Sequence, residues 1–443
     1  VNDHLSSEAA GLTSSSPEQD PADHGTRRRL RACPECDWVS ALPPLSPGDK
    51  ACCPRCDHTL AQRHYRPAER SLALALSSLI ALAIALSFNF VRFEFSGIGN
   101  RIDLLETVSA MIHFDHPIVA ICVVLAIVVL PALYLCAVVW LQIGLLQREP
   151  LPASRQIARS LVHLHPWMMA DVFVIGALVA LIKVGGLADI SIGISFWAFC
   201  FYAALLLLTM QSIDSDWLWF SLAPEPLAPE DTQTGATAAP QGLGGCTTCG
   251  LINRLDARGR GRCRRCGEPL HDRLPNSLQR TWALVFAAAV LYIPANVYPI
   301  MTTTYLGNSD PSNIISGVVE LWHGGSAPVA VIIFIASILV PVGKLIALVW
   351  LCLAARRGSG NRAFVRTRLY RVVEFIGRWS MVDIFVVSIL TALIRAGALM
   401  SITPGPAALA FAGVVIVTML AAFAFDPRLL WQESPALEEP SHA

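Results

Sequence analysis

Runs of apolar residues decide what this chain can fold into. A helix needs about 20 of them to cross the hydrocarbon core of a bilayer. The sequence supplies such stretches at about 71–91, 117–147, 167–188, 193–213, 281–301, 327–354, 379–400 and 405–425. The chain is 54% hydrophobic and 15% charged, whereas soluble domains average about a quarter charged residues. Packed helices of a large soluble protein therefore explain the runs poorly. Formal net charge is zero, which removes any bulk electrostatic case for nucleic-acid binding. The first 30 residues are polar, with Arg27-Arg28-Arg29 and no apolar core, so no cleavable signal peptide is expected. The expectation is an all-α polytopic membrane protein with eight spans.

Arginine placement orients it. The connection 355–378 carries Arg356, Arg357, Arg362, Arg366, Arg368, Arg371 and Arg378, and 148–166 carries Arg148, Arg155 and Arg159. On the opposite side, 302–326 and 401–406 hold no Lys or Arg. The basic side is expected to be cytoplasmic, and with it both termini.

The spans are not independent. Trp140 and Trp350, Pro131 and Pro341, and His113 and His323 are each 210 residues apart. Trp167-Met168-Met169-Ala170-Asp171-Val172-Phe173 aligns with Trp379-Ser380-Met381-Val382-Asp383-Ile384-Phe385 at a shift of 212. Each half also opens on cysteine pairs, so the chain reads as a tandem duplication of a cysteine-rich head followed by four spans. An even number of spans per half makes the copies parallel rather than inverted. The expected divisions are a disordered tail at 1–30, a head at 31–66, a membrane module at 67–220 and a linker at 221–244. The second head follows at 245–273, the second module at 274–432 and a tail at 433–443. Pro, Ala, Gly and Thr between Ser221 and Gly245 suggest that the linker is flexible.

The heads carry the sharpest chemical signal. Cys33-x2-Cys36 is followed after sixteen residues by Cys53-x2-Cys56, and Cys246-x2-Cys249 after thirteen by Cys263-x2-Cys266. Two such knuckles can bring four thiolates to a tetrahedron around Zn2+, so each head reads as a zinc ribbon, two zinc ions in all. Metal binding would supply most of the folding free energy of so small a unit. The competing readings are a rubredoxin-type iron centre and redox-active dithiols. Cys52, beside Cys53, could substitute as a ligand but reads better as a bystander.

Ionisable groups inside spans are costly and therefore candidates for function. Lys344 lies deep in the sixth span, a turn beyond Pro341, in a chain whose other lysines are Lys50 and Lys183. Lysine there, where arginine is otherwise preferred, suggests a group able to lose its proton. Asp383 and Ser380 lie in the seventh span, Ser337 two turns before Lys344, and Thr418 in the eighth span. Their counterparts in the first half are Asp171, Met168, Ile127 and Leu206, with Tyr134 in place of Lys344. One half is thus polar inside and the other largely apolar. Proton-linked transport and a structural Lys344–Asp383 ion pair both explain the set. No Walker motif, nucleotide fingerprint, Gly-x-Ser-x-Gly or HExxH occurs, so no enzyme is expected, and the spans lack a His/Asp/Glu constellation suited to a transported metal ion.

Two cysteine ribbons, four spans per half, Asn296-Val297-Tyr298-Pro299-Ile300-Met301, Val340-Pro341-Val342-Gly343-Lys344 and Trp379-Ser380-Met381-Val382-Asp383-Ile384-Phe385 resemble the paraquat-inducible protein A family over about 31–432. The second half is the closer match, since the first lacks the lysine at Tyr134. The resemblance implies a Gram-negative inner-membrane protein working with a periplasm-spanning MCE-domain tunnel protein (PqiB- or LetB-like). Such a subunit would load phospholipid into the tunnel or receive it from there. It further implies proton coupling through Lys344 and Asp383, with Ser337, Ser380 and Thr418 as relay or positioning hydroxyls. A membrane redox protein using the cysteine heads is the alternative.

Overall fold

The computed structural model describes residues 29–95, 98–102, 121, 123–149, 151–185, 189–305, 308–325, 327–357, 362–379, 381–382, 385–386, 389 and 400–432. In the first head, β1 (Arg29–Ala32) pairs with β2 (Val39–Leu42), and β3 (Lys50–Cys52) with β4 (Thr59–Gln62). The first module follows as α1 (Pro67–Ser87), β5 (Val91–Phe95), β6 (Ile98–Ile102), α2 (Leu130–Leu146), α3 (Ser154–Leu164), α4 (Ala170–Gly185), β7 (Asp189–Ile192), α5 (Ile194–Ser212) and α6 (Ser215–Leu222). The second head repeats the two hairpins as β8 (Leu243–Gly245) with β9 (Ile252–Arg254) and β10 (Arg260–Arg262) with β11 (Pro269–His271). The second module holds α7 (Ser277–Val297), β12 (Met301–Tyr305), β13 (Asn308–Ser312), α8 (Ile314–His323), α9 (Ala327–Phe334), α10 (Val340–Arg356), α11 (Ala363–Trp379), β14 (Met400–Pro404) and α12 (Pro406–Ala424).

Seven helical stretches among the described residues are long and apolar enough to cross a membrane, four in the first half and three in the second. Most of the expected span at 379–400 lies outside the described residues. The all-α expectation needs correction. Each module carries an antiparallel three-stranded sheet, in the orders β6-β5-β7 and β13-β12-β14. It pairs the connection after the first span with the strand that leads into the last. The alternation in Val91-Arg92-Phe93-Glu94-Phe95 and Asp189-Ile190-Ser191-Ile192 is a strand pattern, short and set against the ends of apolar spans, and the pairing of distant segments satisfies its backbone groups. In both modules a glycine makes this possible. A Cβ on Gly193 would lie 2.0 Å from the Asn89 carbonyl oxygen, and one on Gly405 would lie 2.1 Å from that of Pro299. The same contacts fix the register of the repeat, setting Asn89 opposite Pro299.

Both halves contain a π-helical turn, Leu125–Val129 and Ile335–Leu339, immediately before α2 and α10. Pro131 and Pro341 explain it. A proline ring presses on the carbonyl four residues earlier, here that of Ile127 and Ser337, and the wider turn relieves the clash. In the first module the Tyr202 hydroxyl donates to the Ile127 carbonyl at 3.4 Å. Tyr202 continues an aromatic cluster with Phe199, Phe173, Phe90 and Phe196. At the repeat shifts, Phe90, Phe196 and Tyr202 become Ile300, Ala408 and Val414, so the second module fills the same space with smaller side chains.

The modules meet through equivalent residues. Phe173 packs edge-on against Phe385, with centroids 5.5 Å apart, and Gly176 lets α4 approach, its would-be Cβ only 3.0 Å from the Phe385 Cβ. Self-equivalent contact is what a pseudo-twofold between parallel copies requires.

Candidate functional site

Each head is built from two identical turns. The residue after the second cysteine of every knuckle is left-handed: Asp37 (φ 62), Asp57 (φ 61), Gly250 (φ 73) and Gly267 (φ 76). Its N–H donates to the carbonyl of the first cysteine at 2.9 Å in all four. The turns aim their thiols inward. Cys33, Cys36, Cys53 and Cys56 form one buried cluster and Cys246, Cys249, Cys263 and Cys266 the other, with sulfurs within 4.8 Å of one another. The closest Sγ–Sγ separations are 3.4–3.5 Å. Tetrahedral Zn2+ with bonds of about 2.3 Å would hold sulfurs roughly 3.8 Å apart, so a few tenths of an ångström of expansion admits the ion. Both clusters could bind a metal. Cys52 is exposed and outside the cluster, as its reading as a bystander required.

The heads are not separate beads. Ala32, Val39, Ala238, Leu243 and Ile252 form one core across both of them. The linker takes part, because Trp38 bridges to Thr237 and Ala239 N–H donates to Asp37 at 2.8 Å. The segment expected to be flexible is therefore anchored on the first head.

Docking onto the membrane modules is crossed. In the first head, Glu35 lies between Cys33 and Cys36 and is gripped by Arg371 of α11, in the second module. Arg371 also donates to the Cys56 carbonyl at 2.7 Å, and Arg55 stacks between Trp38 and Trp431. In the second head, Glu268 forms an ion pair at 2.8 Å with Arg159 of α3, in the first module. Arg159 and Arg371 are equivalent at the shift of 212. Burial pushes the Glu35 carboxyl up, but hydrogen bonds from His58 and Arg371 outweigh it and hold the group below its usual value. A second ionic cluster ties β1 to the end of the first module: Arg29 and Arg31 bind Asp216 of α6 and Glu225. Burial likewise pushes Asp216 and Glu225 up, and the two arginines bring both below the ordinary carboxylate range. None of these partners was singled out by sequence reasoning; only the repetition of arginine at 159 and 371 hinted at them.

Within the second module, Ser337, Lys344 and Thr418 are all buried, at 1%, 3% and 2% exposure. Thr418 donates back to the Val415 carbonyl at 3.0 Å. Among the described residues, the Ser337 hydroxyl and the Lys344 amine have no hydrogen-bond partner. The amine lies over Gly377 of α11, where a Cβ would come within 2.9 Å of it. Ser380 and Asp383 lie outside the described residues. Asp171 sits half-buried in the first turn of α4 and makes no ion pair among the described residues. The equivalent Tyr134 and Ile127 are buried in the packed first module. Lys344 also borders a cavity of about 250 Å³ between the modules, with His165 and Pro166 on one side and Arg371, Glu374, Phe375, Met419 and Phe423 on the other.

The family described as Paraquat-inducible protein A matches residues 68–223 and 278–434, once in each module. Intermembrane transport protein PqiA of Escherichia coli (strain K12) is 42% identical over 409 residues, covering 92% of this chain and 96% of that protein. Lipophilic envelope-spanning tunnel protein A of the same strain is 32% identical over 405 residues, covering 91% and 92%. A probable intermembrane transport protein of Haemophilus influenzae is 29% identical over 411 residues, covering 91% and 96%. No solved structure matches the chain.

Proposed function

The chain belongs to the paraquat-inducible protein A family, and from that premise we propose that it is a multi-pass inner-membrane subunit of a phospholipid transport system. It works with an MCE-domain tunnel protein that crosses the periplasm. The names of its relatives, an intermembrane transport protein and an envelope-spanning tunnel protein, support transport rather than enzymatic chemistry. The observation that carries the reading is the asymmetry of the repeat. The first module packs Phe90, Phe196 and Tyr202 where the second has Ile300, Ala408 and Val414, and the second alone buries Lys344, Ser337 and Thr418. A buried amine with no hydrogen-bond partner among the described residues is costly, and its presence in one copy fits a working group.

Lys344 and Asp383 exchange a proton during transport, with Ser337, Ser380 and Thr418 as relay or positioning hydroxyls and Asp171 as the surviving trace of the site in the first module. The eight clustered cysteines hold two Zn2+ ions, each drawing two knuckles into one rigid unit. Heads and termini face the cytoplasm, following the arginines. Burial of the cysteines at 0–7% exposure weighs against redox dithiols, which need access to a partner.

The test is elemental analysis of detergent-purified protein, with gentle co-purification and lipid mass spectrometry on the same sample. Two zinc per chain, bound phospholipid and a tunnel protein are expected. Iron or a reversible dithiol signal, with lipid no higher than in a control membrane protein, would sink the reading. In cells, Lys344→Ala and Asp383→Asn are expected to abolish transport while leaving a folded, metal-loaded protein; unfolding would point to a structural pair instead.

A further inference from the structure

The two heads share a plan but not a charge. Residues 245–273 hold seven arginines and three carboxylates, whereas residues 31–66 hold five Lys or Arg and four carboxylates. Arg254, Arg265 and Arg273 pair with Asp231, Glu225 and Asp37. Arg258, Arg260 and Arg262 are exposed and make no ion pair among the described residues. Arg260 and Arg262 alternate along β10, so both stand on one face, across from His271 and Pro269 of β11. Leu270, between those two, turns inward and is buried. Asp256 accepts the Arg258 and Arg260 backbone N–H groups at 2.9 and 2.7 Å, which builds the turn leading into β10. At the shift of 210 the three arginines become Gly48, Lys50 and Cys52. The basic stripe therefore belongs to the second head alone.

It lies where the chain enters the membrane. Asp272 N–H donates to the Gly259 carbonyl at 2.8 Å. Leu274 N–H donates to the Asp426 carboxylate at 3.0 Å, and the Ser277 hydroxyl to the Ala424 carbonyl at 2.6 Å. These bonds tie the turn to the start of α7 and the end of α12, both long and apolar enough to cross a bilayer. Arg280 is also exposed, in the first turn of α7, where the helix dipole disfavours a cation unless an anion lies near. Arginines clustered at the foot of a span gain most from negative headgroups in the leaflet there. We propose that Arg258, Arg260 and Arg262 form a contact surface for the anionic phospholipid headgroups of the leaflet beside the second head. The contact is peripheral, and no lipid has to leave the bilayer to make it. The inference rests on the chain crossing a membrane and not on its carrying lipid.

The test is arginine labelling by phenylglyoxal, read residue by residue by mass spectrometry. The full chain is placed in nanodiscs of phosphatidylcholine alone or of phosphatidylcholine mixed with an equal part of phosphatidylglycerol. Each of the three arginines should react at least about fivefold more slowly in the anionic discs, the scale of one arginine's attraction to a charged leaflet. The protection should vanish at about 1 M salt, where the screening length falls to about 3 Å. Arg55, stacked between Trp38 and Trp431, should react alike in both discs. The triple variant Arg258→Gln, Arg260→Gln, Arg262→Gln removes only exposed, unpaired charges, so it should fold. Extracted from mixed discs, it should retain less phosphatidylglycerol relative to phosphatidylcholine than wild type. Should it fail to fold, the labelling of wild type decides alone. Equal reaction in the two discs, slowing that persists in salt, or an unchanged lipid ratio in the folded variant overturns the proposal. Slow reaction already present in neutral discs would assign the arginines to an acidic protein segment and overturn it too. Protection of the three arginines in a chain that delivers no lipid would tell against the transport reading and leave this contact standing.

Discussion

Glu35 and Arg371 are 336 residues apart, and Arg371 grips both oxygens of the Glu35 carboxylate. The pair joins the knuckle of the first head to the second membrane module. Arg159 and Glu268 make the reverse connection. Each cysteine head is therefore pinned to the other copy's spans, and the first is tied to its own module as well through Arg29 and Arg31.

The crossing gives a specific expectation. Arg371→Ala should loosen residues 31–66 and leave 245–273 protected, whereas Arg159→Ala should do the opposite. Loss of Arg371, which makes charge-assisted hydrogen bonds, should cost about 1–3 kcal/mol, and loss of Arg159, a more exposed ion pair, about 0.2–1 kcal/mol. Hydrogen exchange of the full chain, compared head by head, checks it. Loosening of the head that belongs to the mutated module would overturn the crossed arrangement.

Removal of one metal should not remove the other. Cys53→Ser is expected to lower the metal content from two ions per chain to one and to destabilise mainly the first head. Cys263→Ser should act on the second. Because the heads share the core of Ala32, Val39, Leu243 and Ile252, chelation of both should unfold them together. Metal analysis with limited proteolysis reads both outcomes.

Acid should release the clamp between β1 and the end of the first module. Asp216 and Glu225 titrate below their unfolded values, so their stabilising contribution is fully present above about pH 4 and is lost as pH falls through the lower folded values. Glu225→Gln should be less stable than wild type by about 1–3 kcal/mol near neutrality. The gap should close as pH is taken from about 6 to below about 3. Thermal unfolding of the two proteins across that range decides it; a gap that widens in acid would refute the assignment.

Filling the second module should stop it working. Val414→Tyr restores the aromatic that the first module has at Tyr202, and is expected to leave the protein folded while reducing lipid delivery at least about tenfold. Tyr202→Phe, which removes a long 3.4 Å hydrogen bond, should cost about 1 kcal/mol of stability or less and spare transport. A lipid-transfer assay with both variants separates the roles of the two modules.

Much of this was legible in the residues. Apolar runs near the thickness of a bilayer, two cysteine tetrads and matching residues at shifts of 210 and 212 are local or periodic signals, and periodicity survives whatever the tertiary packing does. The π-turns were half legible: Pro131 and Pro341 were paired by the repeat, but the response of the preceding turn is a steric matter of backbone against ring. Lys344 stood out because lysine is rare in this chain, yet its burial with no partner among the described residues could not be read from span depth.

Only the tertiary structure decided which head meets which module. Arg159 and Arg371 look alike in sequence, and either could have bound a carboxylate of its own half. In the packed structure α3 meets the second head and α11 the first, so distance selects the partner. The three-stranded sheets were likewise decided by segments about a hundred residues apart satisfying one another's backbone groups, as in the pairing of Thr302 with Thr403. Sequence spacing fixes what a residue can do chemically; its partner depends on which surfaces the packed copies bring together.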